Sequence, residues 1–101
     1  MGAAILTRAG MGAAIELPAL GIAMRVLVPA AATAGAFCVI EETTAPGKGP
    51  PLHVHRDQSE CFRFLEGRYL LEVDGTRWEV GPGDTALVPP GARHAFRNIG
   101  A

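Results

Sequence analysis

Gly47-Lys48-Gly49-Pro50-Pro51-Leu52-His53-Val54-His55-Arg56-Asp57-Gln58-Ser59-Glu60 is the stretch on which the reading of this chain turns. Its first half can be neither helix nor central strand, because proline lacks an N–H and fixes φ. Its second half places two histidines two residues apart. On an extended strand such residues share a face, about 6–7 Å apart, so both imidazoles can reach a common ion. Arg56 to Ser59 turns the chain. Glu60 then opens a run, Glu60-Cys61-Phe62-Arg63-Phe64-Leu65, that alternates cleanly. Parity puts Glu60, Phe62 and Phe64 inward and Cys61 and Arg63 outward. The predicted result is a carboxylate beside two imidazoles at the edge of an apolar interior.

Working outward, the Arg68–Val80 stretch reads as a hairpin around Asp74-Gly75, a dipeptide suited to a two-residue type I′ turn. That turn pairs Val73 with Thr76, Leu71 with Trp78 and Tyr69 with Val80, and these six are expected to line the interior. The other face carries Leu70, Glu72, Arg77 and Glu79, with Glu72 opposite Arg77. Gly81-Pro82-Gly83-Asp84 is a turn, Thr85 to Val88 a strand, and Pro89-Pro90-Gly91 its end. His94 to Ile99 begins a further strand, with His94, Phe96 and Asn98 on one face. On the other side, Leu52 to His55 reads as a short strand, Ala36 to Thr43 as another and Arg25 to Val28 as a third, with Ala30 to Gly35 connecting the last two. Residues 1–24 are expected to form an arm or edge strands. No segment has helical period, and there is no internal repeat.

Two spaced patterns resemble the paired motifs of the cupin superfamily. The first runs from Gly47 through His53, His55 and Glu60 to Gly67, and the second from Gly83 through Pro89, Gly91 and His94 to Asn98, each matching position by position. The resemblance covers roughly residues 25–101. It implies an all-β, antiparallel jelly-roll barrel of the RmlC-like kind. It also implies that His53, His55, Glu60 and His94 hold one divalent transition metal, Mn, Fe, Ni, Cu or Zn, and that the protein is a homodimer. The glycines and Pro89 would serve turns, and Asn98 would be structural. Imidazole suits first-row metals and carboxylate the harder ones. Four protein ligands on a six-coordinate ion would leave two positions for water, dioxygen or substrate. Cupin barrels usually continue beyond the second motif. An uncapped edge would then be left, and the expectation is that the chain is a fragment or that a neighbouring subunit covers the edge.

Composition narrows the remaining classes. The chain has 101 residues, 49% apolar and 19% charged, enough for one core. A net charge of −1 gives no pull toward nucleic acid or anionic membrane. The apolar stretch from Gly10 to Met24 is broken by Glu16 and Pro18, too broken for a spanning helix and poor for a secretory signal, and the expected location is cytoplasmic. Cys38 and Cys61 match no zinc motif and are expected to be unpaired, small buried or half-buried side chains. Lys48, Arg56 and Arg93 are weaker candidates for meeting an anionic substrate, with solvated loop charge the more ordinary role. Asp57 could accept an N–H from a ligand histidine, although turn chemistry explains it as well. Tyr69, Trp78, Phe62, Phe64 and Phe96 fit either a pocket wall or simple packing.

The expected function is a metal-dependent enzyme, dioxygenase-like, acting on a small organic substrate, with Glu60 able to detach and serve as a base. Isomerase or decarboxylase chemistry fits the same ligand set. The competing reading is a non-enzymatic module binding a small molecule or sugar, with metal as anchor. Nothing in the sequence selects the metal or the substrate.

Overall fold

The computed structural model describes residues 3–100. Eight strands follow one another: β1 (Ala13–Leu17), β2 (Ile22–Val28), β3 (Val39–Thr44), β4 (Glu60–Arg63), β5 (Arg68–Val73), β6 (Thr76–Val80), β7 (Thr85–Val88) and β8 (His94–Gly100). Two single 3-10 turns, Pro18–Leu20 and Ala30–Thr33, are the only helical segments among the described residues. No helix there is long and apolar enough to cross a membrane. The chain divides at Thr43/Thr44 into two units.

The first unit holds a three-stranded sheet in the order β1-β2-β3. β1 lies antiparallel to β2, from Ala13 opposite Val26 to Leu17 opposite Ile22. All five β1 residues are exposed, and Ile22 on β2 is buried. Thr7 donates its hydroxyl to the Leu27 carbonyl at 2.7 Å, which ties the segment before β1 to β2.

The second unit carries the site. Its sheets are β6-β5-β8 and the pair β4-β7. The β5–β6 hairpin has the register that Asp74-Gly75 predicts, with Leu71 opposite Trp78 and Glu72 opposite Arg77. Asp74 and Gly75 both have positive φ, 47° and 83°, the mirror-image turn that matches strand twist. Between the sheets, Phe64, Leu71 and Phe96 form the buried cluster, flanked by Phe62, Tyr69, Val73, Val80 and Ala86. The alternation along β4 is the cause: Phe62 and Phe64 turn inward while Cys61 and Arg63 remain exposed.

Two sequence expectations are corrected here. Leu52 to His55 is not a regular strand: it makes one isolated bridge, His53 to His94. Pro50 and Pro51 have no N–H to extend a ladder. Trp78 and Thr76 do not sit inside; Trp78 is 48% exposed. β6 is the outer strand of its sheet, and of its inward-parity residues Val80 packs against the buried cluster while Thr76 and Trp78 lie beyond it. β8 is bonded along both sides. On one side it pairs with β5. On the other the Gly47 and Asn98 backbones bond at 2.8 Å, Asn98 N–H donates to the Lys48 carbonyl at 2.9 Å, and His53 bridges His94. The 47–53 strip runs so close that a Cβ on Gly49 would strike the Phe96 carbonyl, so only glycine fits. Asn98 fixes the same corner, donating Nδ2–H to the Thr44 carbonyl at 2.8 Å.

Candidate metal centre

His53 and His94 face each other across the bridge, exchanging both backbone hydrogen bonds at 2.9 and 2.8 Å. Residues paired in this way project side chains to the same face, and their ring centroids are 4.2 Å apart. His55 lies two residues beyond His53, held where its carbonyl accepts from Gly91 N–H at 2.8 Å. Its ring is 5.2 Å from that of His53 and 5.4 Å from that of His94. Glu60 arrives from β4, where it opposes Val88 of β7. Each of His53, His55, Glu60 and His94 offers one ligand atom, all lying within 4.8 Å of one another. A first-row ion with bonds of about 2.1 Å keeps its donors about 3 to 4 Å apart, close to this spacing.

The ring hydrogen bonds decide which nitrogen faces the group. Nδ1 of His53 lies 2.8 Å from the Pro51 carbonyl, and Nδ1 of His94 lies 3.0 Å from the Ala92 carbonyl. A carbonyl only accepts, so in each ring Nδ1 carries the proton and donates it. Nε2 is left with a lone pair. For His94 that lone pair meets Oε2 of Glu60 at 2.7 Å, and Nε2 of His55 lies 3.3 Å from the same oxygen. Two acceptors at 2.7 Å repel unless a positive charge lies between them. A proton or a metal cation supplies it, and three imidazole nitrogens around one carboxylate form a donor set that suits a divalent first-row ion. The residues present therefore fit a metal.

Burial divides the group. The His94 side chain is 1% exposed, while those of His55 and Glu60 are 42% and 40% exposed. Phe62 lies edge-on to His94 at 6.2 Å and to Phe96 at 5.5 Å, an aromatic backing on the inner side. Water and small molecules reach the group from the His55–Glu60 side.

The other sequence candidates fall elsewhere. Asp57 is exposed and takes no ring proton, because backbone carbonyls two residues behind His53 and His94 take them instead. Arg56 and Arg93 are exposed loop residues. Lys48 contributes its backbone to the β8 edge. Tyr69, Phe62, Phe64 and Phe96 stack into the core cluster. Sequence reasoning missed the Pro51 and Ala92 carbonyls, which no side-chain motif announces. It also missed Asp74, whose Oδ1 accepts from the Arg93 N–H at 2.9 Å and whose own N–H donates to the Arg93 carbonyl at 2.8 Å. The β5–β6 turn thereby clamps the residue just before His94. Cys38 and Cys61 are free, but both are exposed rather than buried or half-buried as expected; Cys61 lies on the outward parity of β4.

Residues 40–101 match the cupin domain family. An uncharacterised protein of Methanocaldococcus jannaschii is 43% identical over 49 residues, covering 48% of this chain and 39% of that one. Quercetin 2,3-dioxygenase of Bacillus subtilis is 43% identical over 53 residues, covering 50% of this chain and 16% of the enzyme. The chain thus spans well under half the length of these relatives. Among solved structures, a predicted oxalate decarboxylase from Thermotoga maritima superposes with a TM-score of 0.85 at 20% identity, over 95% of this chain and 89% of the other. That likeness concerns the fold alone, an all-β jelly roll of antiparallel construction. With the family match spanning more than half the sequence, the chain belongs to the cupin family.

Proposed function

We propose that this chain is a metal-dependent enzyme whose His53, His55, Glu60 and His94 hold one divalent transition metal, and that its reaction is of the dioxygenase class on a small organic substrate. The observation that carries the reading is the 2.7 Å contact between two acceptors, His94 Nε2 and Glu60 Oε2, inside a set of four convergent donors. The partial likeness to quercetin 2,3-dioxygenase supports the reaction class. A dioxygenase places both atoms of dioxygen in its product and so needs no external reductant.

The bound metal would supply Lewis acidity toward the oxygens of substrate and an anchoring point for dioxygen. The chain's own residues do the rest. Pro51 and Ala92 carbonyls hold the His53 and His94 rings in the tautomer that presents Nε2. Phe62 and Phe96 keep water from the inner side. Glu60, reached from solvent, is the group placed to accept a proton at Oε1 or Oε2 from an acidic substrate O–H or C–H.

Elemental analysis of tag-free protein is the test, repeated on the His53→Ala, His55→Ala double variant. Near one equivalent of one transition metal is expected, lost in the variant, together with oxygen uptake against a panel of phenols and diketones. Little metal after anaerobic loading with Fe, Mn, Ni, Cu or Zn would overturn the site. Stoichiometric metal with ligand binding but no turnover of any panel member would replace the enzyme by a non-enzymatic binding module.

A further inference from the structure

The inner face of the β6-β5-β8 sheet changes character across its three strands. Directly opposed residues share a face, so the register gives rows. His94, Val73 and Thr76 form one row, and Phe96, Leu71 and Trp78 the next. In the second row Phe96 is 7% exposed and Leu71 1%, but Trp78 is 48%. The face that begins at a buried metal-facing histidine therefore ends at an open indole. Trp78 stands two strands and one same-face step from His94, about 12 Å between Cα atoms by standard sheet spacing. Half-buried Val73 and exposed Thr76 lie between them.

The geometry points to Trp78 as the specificity-determining residue of the site: it stacks on a planar aromatic ring whose oxygen-bearing end lies at the His53–His55–Glu60–His94 group. This rests on the metal-centre reading above and names its substrate class. A large flat π surface left open on the inner face offers stacking and apolar contact without hydrogen-bond selectivity. A two-carbon acid bound at the histidines could not reach it across that span, whereas a fused bicyclic diol can touch both.

Trp78 is the sole tryptophan of the chain, so its fluorescence reports this position alone. The protein is loaded with Zn, which has no redox chemistry to consume the probe, and titrated with 2,3-dihydroxynaphthalene and, separately, with oxalate. The diol should shift and quench the emission saturably. Oxalate should bind, by calorimetry, without moving it. Trp78→Leu should weaken the diol about tenfold and leave oxalate within twofold, with Trp78→Phe between wild type and Trp78→Leu.

Equal loss of both ligands, or no loss of the diol, in a metal-replete Trp78→Leu protein overturns the stacking role and leaves the metal centre standing. Failure to take up metal, with neither ligand bound, overturns both. Emission that shifts with protein concentration alone, alongside a dimer that Trp78→Leu dissociates, would show that a second copy covers the indole, and also overturns the proposal.

Discussion

Two halves of the donor group meet at one oxygen and are built differently. His94 and His55 both point Nε2 at Oε2 of Glu60. His94 is buried, its ring proton is held by Ala92, and its backbone N–H and carbonyl both bond to His53. His53 shares the bridge and has its own carbonyl anchor at Pro51. His55 and Glu60 are each about two-fifths exposed, and Nε2 of His55 meets Glu60 itself. One half is thus preorganised by the backbone and the other is open to exchange. In the proposed metal-centre reading, the fixed half would hold the ion and the open half would exchange ligands.

The largest expected effect tests that division directly. His94→Ala should lose metal to below a tenth of an equivalent and also melt lower, because it empties a buried position beside Phe62. His55→Ala should lower metal affinity with little change in the melting temperature of the metal-free protein. Elemental analysis and metal-free melting curves on both variants check this. Equal melting temperatures would break the comparison.

Gly49→Ala is the next largest. No ligand is touched, yet the added Cβ would collide with the Phe96 carbonyl and push the 47–53 strip from β8. The His53 bridge is the part of the site that depends on this approach. Expected are a loss of about 1–3 kcal/mol of stability, as for other overpacked positions, and a 10–100-fold weaker metal affinity, the range for losing an outer support. Metal titration followed by chelator competition reads the second number. An unchanged affinity would show that the bridge does not orient His53.

Much of this was legible in the sequence, and what was not has a physical reason. Alternation at Glu60 to Leu65 and the Asp74-Gly75 turn fixed which side chains share a face, because side-chain parity is local. The four donors followed from motif spacing. Trp78 was misplaced because parity tells the face but not how far the covering layer extends. The second partner of β8 was not legible because it is a proline-rich strip with no strand signature. The ring anchors were invisible for a simpler reason: every residue has a carbonyl, and only the folded backbone says which one lies beside Nδ1.

Asp74 gives the smallest and most discriminating effect. It sits at the hairpin turn, remote in sequence from His94, and it is exposed. Its carboxylate accepts the Arg93 N–H while its backbone N–H returns to the Arg93 carbonyl, so the turn holds the residue that precedes buried His94. Removing the acceptor in Asp74→Ala leaves the backbone bond and loses the side-chain one, worth about 1 kcal/mol. Its φ of 47° adds a penalty for alanine that asparagine avoids. Asp74→Asn keeps an acceptor oxygen and the turn preference, so it should restore most of the stability. If Asp74 only builds the hairpin, both variants will bind metal like the wild type. If it positions His94, Asp74→Ala should weaken metal binding several-fold and alter the visible spectrum of the Co-loaded protein, while Asp74→Asn restores both. The fixed half of the site would then extend through β5 and β6 to a turn that carries no ligand.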